Sequence, residues 1–237
     1  MRRAALATTA AVCMAICVSS CKKQETESSS TPSTTESQGV ITATADSDVA
    51  TQGGSIPSGY VVQLDRSSAT TNEIAYTPDG TGRWEVKTGP AHIIYALDDT
   101  AYAKYRVTTT IEQLAKPNHP EAYGIFIGGS ALDDTLARKY TYFIVRGDGK
   151  YSVKVRDGGN TKTITDWTEH AAIPKESGAG KAVYGITIDV DGDKADVSVN
   201  GKPVTTISEK DGPLRGVTGV RVNHNLHVMV TPLAITR

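Results

Sequence analysis

The chain has no cysteine beyond residue 21: Cys13, Cys17 and Cys21 are its only three in 237 residues. The rest of the chain therefore holds neither a disulfide nor a thiolate nucleophile, whatever its redox compartment. Charge of one sign is also missing. Lys and Arg number 25 against 26 Asp and Glu, a formal net charge of −1. That balance excludes a general attraction to nucleic acid or acidic lipid, and no basic stripe with interleaved aromatics argues for nucleic-acid binding. A sustained helical period is absent too. The best helical candidate, Asp133-Asp134-Thr135-Leu136-Ala137-Arg138, is expected to form a turn or two within a loop. No Gly-x-Ser-x-Gly elbow, phosphate-cradling loop or Rossmann fingerprint appears. Gly178-Ala179-Gly180-Lys181 lacks the phosphate-loop spacing and a following helix, so it reads as a loop.

What is present is β-pattern. Tyr140–Arg146 and Tyr151–Arg156 flank Gly147-Asp148-Gly149. Such runs fit a pleated, half-buried surface, and glycines supply the positive φ of a tight reversal. Tyr151, Val153 and Val155 alternate with Ser152, Lys154 and Arg156, so a hairpin with one wet face is expected. Further strands are expected at Tyr60–Leu64, Trp84–Thr88, His92–Ala96, Tyr105–Ile111, Tyr123–Gly128 and Thr161–Thr165. They continue at Tyr184–Val190, Lys194–Val199, Lys202–Ile207, Gly219–Asn223 and Leu226–Thr236. Turn sequences such as Asp191-Gly192 and Asn200-Gly201 separate them, the strongest short-range hairpin signals available. Many short strands without intervening helices read as an antiparallel sandwich or barrel. No internal repeat suggests a propeller or β-helix.

The N-terminus has a different text. Arg2 and Arg3 precede an apolar run from Ala4 to Val18, followed by Ser19, Ser20 and Cys21. The order of basic, apolar and small residues is that of a signal peptide, and the run falls short of the ~20 residues a membrane span needs. Val18-Ser19-Ser20-Cys21 resembles the lipobox of bacterial lipoproteins, which implies a lipidated Cys21 at the start of the mature chain; an ordinary secretory signal with a chance cysteine is the alternative. Lys22 in place of an aspartate favours the outer over the inner membrane, by analogy with enteric bacteria. Residues 22–55 are Ser/Thr/Glu/Gln-rich and bury too little to offset ordering entropy, so a disordered tether is expected. The division expected is signal peptide 1–20, lipidated Cys21 with tether 21–55, and one β domain 56–237.

Several fragments share a resemblance: Pro120–Gly129, Tyr140–Arg156, Asp166–His170, Ile186–Gly201 and Gly219–Leu226. In this order they resemble secreted bacterial domains of the concanavalin A-like lectin/glucanase fold, near the laminin-G-like and 3-keto-disaccharide hydrolase domains. The resemblance implies an all-β fold, a two-sheet antiparallel jelly-roll sandwich whose concave sheet faces carbohydrate.

No catalytic pair stands out. Retaining glycosidases of this fold place alternating carboxylates on one strand face, and no segment matches. Asp189–Asp196 invites a calcium-loop reading, but Lys194 stands where glycine is needed and Asn200 where the bidentate Glu belongs, so a charged hairpin tip accounts for it better. Arg221, Asn223, His224, Asn225 and His227 form the densest polar cluster. His224 and His227 are three apart, which on a straight strand sends them to opposite faces; a strand corner is favoured over a zinc site. Trp167 with His170 offers a stacking ring and a hydroxyl partner for a sugar, against the equal alternative of a core tryptophan. Tyr142 and Arg146 share a strand face with Tyr140 and Ile144 and are read as the floor of a shallow groove. The alternative packs the tyrosines inward with their hydroxyls at the rim. Neither a metal nor another cofactor is expected, and nothing sets an oligomeric state. The leading expectation is a lipid-anchored envelope protein that binds carbohydrate or glycoconjugate. A glycoside or 3-keto-glycoside hydrolase comes second, and a structural or protein-interaction module third.

Overall fold

The computed structural model describes residues 48, 51 and 53–237; the expected signal peptide, Cys21 and most of the tether lie outside the described residues. The strands in chain order are β1 (Tyr60–Leu64), β2 (Ile74–Pro78), β3 (Trp84–Thr88), β4 (His92–Ala96), β5 (Thr100–Ala101) and β6 (Tyr105–Gln113). Then come β7 (Ala122–Ser130), β8 (Lys139–Arg146), β9 (Lys150–Asp157), β10 (Asn160–Glu169) and β11 (Ala182–Asp191). Last are β12 (Lys194–Val199), β13 (Lys202–Ser208), β14 (Gly216–Val222), β15 (Leu226–Val230) and β16 (Ala234–Thr236). They form two antiparallel sheets packed as a jelly-roll sandwich. The first sheet runs β1-β4-β14-β7-β8-β9-β10, with β5 on β14. The second runs β13-β12-β11-β6-β15-β3-β2, with β16 on β6.

Strict alternation builds the second sheet. In β6, Tyr105, Val107, Thr109, Ile111 and Gln113 point inward and are buried, while Arg106 and Thr110 are exposed. In β11, Ala182, Tyr184, Ile186, Ile188 and Val190 do the same. Both strands thus present one apolar face to the other layer, where each fully buried large side chain contributes about 1.5–3 kcal/mol. From the first sheet Ile125, Phe143, Val145, Val153 and Val220 meet them. Trp84 is a core residue, packed edge-on against Tyr60 with ring centres 4.7 Å apart. The hairpin between β12 and β13 turns at Asn200 (φ 50°) and Gly201 (φ 73°), the two consecutive positive angles that Asn-Gly supplies most cheaply.

Four expectations need correction. Ile74–Pro78 is a strand and was not expected; it ends on a proline at the sheet's edge, where a missing N–H breaks no ladder. The two-residue β5 was likewise not expected. Leu226–Thr236 is two strands because Pro232 interrupts it. The wet face of the β8–β9 hairpin is only partly wet: Ser152 is fully buried, and Lys154 and Arg156 are half-buried. The turns expected within Asp133–Arg138 are present.

One buried histidine sits between the layers. His92 Nδ1–H donates to the Pro90 carbonyl at 3.2 Å, and Nε2 accepts from the Tyr76 hydroxyl at 2.7 Å. This pairing fits the neutral ring, a tautomer assigned from its partners. Burial lowers its pKa from 6.5 to about 4, against the opposing pull of the Pro90 carbonyl.

Candidate functional site

The first sheet is apolar on both faces. Its inner face joins the core, and its outer face carries a second cluster: Ile93, Tyr95, Ala122, Phe126, Tyr140, Tyr142 and Ile144, with Leu132 from the β7–β8 loop. The register sets these residues side by side, Phe126 opposite Tyr142 and Gly124 opposite Ile144, while Arg221 of β14 pairs with Gly124. Gly219 leaves the space the Phe126 ring fills, since a Cβ there would stand 2.4 Å from that ring. The expected shallow groove floor is thus closed at its centre: Tyr140 and Ile144 are buried and Tyr142 is 6% exposed.

Arg221 is the centre of the polar network on this face. Its guanidinium grips Asp65 in a fork, with Nη1–Oδ1 at 2.6 Å and Nη2–Oδ2 at 2.5 Å. It also donates to the Tyr140 hydroxyl at 3.4 Å and, through Nε, to Asn223 Oδ1 at 3.1 Å. Arg138, 1% exposed, reaches the same place: its terminal nitrogens donate to the carbonyls of Leu64 at 2.8 Å and Asp65 at 3.0 Å. β1 and β8 are separated by β4, β14 and β7, about 19 Å in a flat sheet and more than an arginine spans. The sheet therefore curls toward its outer side. Burial acts to raise the pKa of Asp65, but Arg221, then Arg156 and Arg138, outweigh it and hold the carboxyl below its ordinary value.

Trp167 of β10 is half-buried at the rim of this face. The Arg146 guanidinium lies 4.0 Å from its ring centre and the Lys154 ammonium 5.5 Å, close enough for cation–π attraction. Asp148 forks Arg146 from the turn, at 3.1 and 2.6 Å. The indole is thus neither a core residue nor a bare platform.

The C-terminal polar cluster divides. Arg221 and Asn223 belong to the network just described, and Asn223 donates to Glu121 Oε2 at 3.3 Å. His224 Nε2 meets the other Glu121 oxygen at 2.7 Å and its Nδ1 lies 3.4 Å from Asp48, which also pairs with Arg66. Burial raises the pKa of Glu121, although His224 pulls the other way. Asn225 turns the corner at φ 53° with its N–H on the Gly89 carbonyl. His227 leaves on the second sheet and bonds Glu85 at 2.7 Å. His170 accepts from the Ala172 N–H at 3.1 Å and meets the core ring of Tyr151 edge-on at 6.1 Å. It does not join Trp167. Asp65 and Arg138 were missed: Asp65 carries no local signal, and its partner lies 156 residues away. Arg138 was readable, because it stands two positions before Tyr140, just ahead of β8 and in phase with its outward residues.

Chemically the face offers grip from arginine and aromatic groups, and its carboxylates, Asp65 and Glu121, lie at the margin in the Arg221–Asn223 network. The outward positions of its central strands include Ala122, Gly124, Phe126, Tyr140, Tyr142, Ile144, Arg146, Gly219 and Arg221, with no carboxylate among them. Asp65 is locked by arginine. Among the described residues no group of three His, Cys, Asp or Glu is placed to hold a metal ion.

No protein-family model matches the chain, and no curated protein does. Solved structures do match in fold. The carbohydrate binding module CBM66 from Bacillus subtilis aligns with a TM-score of 0.55 at 10% identity, over 76% of this chain and 96% of that one. A protein of unknown function with galectin-like fold, also from Bacillus subtilis, aligns at 0.54 and 11% identity, over 74% and 88%. A Bacteroides ovatus mixed linkage glucan GH16 protein, solved with a glucan product, aligns at 0.52 and 8% identity, over 78% and 98%. At such identities the likeness shows a jelly-roll fold and nothing finer.

Proposed function

We propose that the outer face of the first sheet recognises a carbohydrate or glycoconjugate and does not cleave it. The observation that carries this reading is the rim where Trp167 holds Arg146 and Lys154, beside central strands that offer no carboxylate pair. An aromatic edge with fixed cationic donors suits hydroxyl-rich ligands, while glycoside cleavage needs two carboxyl groups flanking the bond, about 5–9.5 Å apart. A fold shared with a carbohydrate binding module supports the reading at the level of architecture. The hydrolase reading has the same fold support but lacks the residues.

The full chain is to be tested on a glycan array beside a hydrolysis screen on the same sugars. Binding without new reducing ends is the expected result. New reducing ends, lost when Asp65 or Glu121 is changed, would place the hydrolase first.

The chain's placement is also part of the proposal. A lipidated Cys21 would anchor it in the cell envelope, on the outer membrane where there are two, with residues 22–55 as spacer. The intact mass of the mature protein tests this: an unmodified Cys21 or a retained N-terminus removes the anchor.

A further inference from the structure

We infer that the ligand of this face is acidic: a saccharide bearing carboxylate or sulfate groups, gripped by Arg156, Lys154 and Arg146 in front of the buried Arg138 and Arg221. The inference rests on the carbohydrate-binding reading and names the class of sugar. It follows from an imbalance of charge in one place. Arg138, Arg156 and Arg221 all act on a single carboxylate, Asp65, and only Arg221 forms an ion pair with it. Among the described residues, no carboxylate lies within ion-pairing distance of Arg138, Arg156 or Lys154. Arg156 Nε donates to the Gly158 carbonyl at 2.7 Å, and Arg138 is held by carbonyls alone. A carbonyl satisfies an N–H but does not neutralise a guanidinium. Arg138 Nε, moreover, is buried with no hydrogen-bond partner.

Burying a charge without its counter-charge is costly, and a group left so is a site waiting for one. The arginine fork matches carboxylate and sulfate geometry, which a neutral hydroxyl does not reproduce. The imbalance is local. The chain as a whole is near neutral at −1, and on the outer face of the second sheet Arg106 pairs with Asp189 and Lys104 with Asp191, while the exposed Lys194 stands alone in water rather than buried.

The test uses the full chain and matched ligand pairs: oligogalacturonate against its methyl ester, and dextran sulfate against dextran. Vesicles of phosphatidylglycerol and of phosphatidylcholine form a further arm. Titration calorimetry should show the acid or the sulfate bound at least about tenfold more tightly than its neutral partner. Lys154→Gln with Arg156→Gln should remove that preference. Lys104→Gln with Arg106→Gln, which takes equal charge from the other sheet, should leave it intact. Equal affinity for charged and neutral partners overturns the inference while leaving carbohydrate binding in place. Equal losses in the two double variants overturn it as well, since the attraction would then be general. Binding to phosphatidylglycerol vesicles and to no saccharide, or to nothing at all, overturns both readings.

Discussion

The outer faces of the two sheets are made by the same alternation and end in opposite conditions. On the second sheet the outward residues meet solvent and several pair with one another: Arg106 with Asp189, Lys104 with Asp191, His227 with Glu85, and Thr206 with Asp196 at 2.6 Å. On the first sheet the outward residues are aromatic or aliphatic and buried, and the cations among them outnumber their carboxylates. A sandwich needs only one apolar face per sheet to close its core. The second apolar face, with surplus charge at its rim, is more than folding requires, and it is there that we propose recognition.

The largest expected effect that would sharpen this contrast is on stability. Asp65→Asn leaves Arg221 buried without its counter-charge and should cost about 3–5 kcal/mol in chemical denaturation. The matching change on the other sheet, Asp189→Asn, opens a solvent-exposed pair and should leave the denaturation midpoint unchanged. Similar losses in both would erase the distinction between the faces.

The next effect belongs to the layer between the sheets. His92 is neutral when folded, with a pKa lowered to about 4 by burial, whereas the unfolded ring titrates near 6.5. The unfolded chain therefore binds the extra proton between these values. Stability is full above about pH 6.5 and falls as pH drops toward 4, by roughly 3 kcal/mol in all. Glu121, raised by burial, acts in the opposite sense, so the quantity to read is the difference between wild type and His92→Gln. Parallel pH–stability curves for the two proteins would show that His92 is not the acid-sensitive group.

Smaller effects are expected at the rim. Trp167→Ala frees Arg146 and Lys154 from the ring and should weaken glycan binding about five- to tenfold, while shifting thermal stability by no more than about 1 kcal/mol. His170→Ala, which faces Tyr151 on the other side of the sheet, should leave binding unchanged. An equal loss of binding in both variants would mean that the two sides of the sheet at this edge are not separate.

The fold was legible in the sequence because most strands obey period two and their turns carry Asn-Gly or Asp-Gly. Strands β6 and β11 show it cleanly, each with one face in and one face out. Strands β7 and β8 do not, since they are buried on both sides. Alternation then ceases to say which face is which, so Tyr140 and Tyr142 read as a groove floor and prove to be packed. The rim was partly legible: Trp167 and Arg146 were singled out, but their stacking depends on the register irregularities along β10 between Thr163 and Thr168. The centre was not legible. Asp65 follows a strand at the far edge of the sheet, and only curvature brings Arg138 to its carbonyl. Proximity in the sequence also misled: Arg221 and His227 read as one cluster, yet the corner at Asn225 sends them to different sheets.

The most direct measurement is a hydrogen-exchange footprint of the full chain with and without a saturating acidic oligosaccharide. The account predicts slowed exchange in residues 138–169, the segment that carries the arginines and Trp167, with no change in residues 104–112 and 182–199. Protection confined to those second-sheet segments would contradict it.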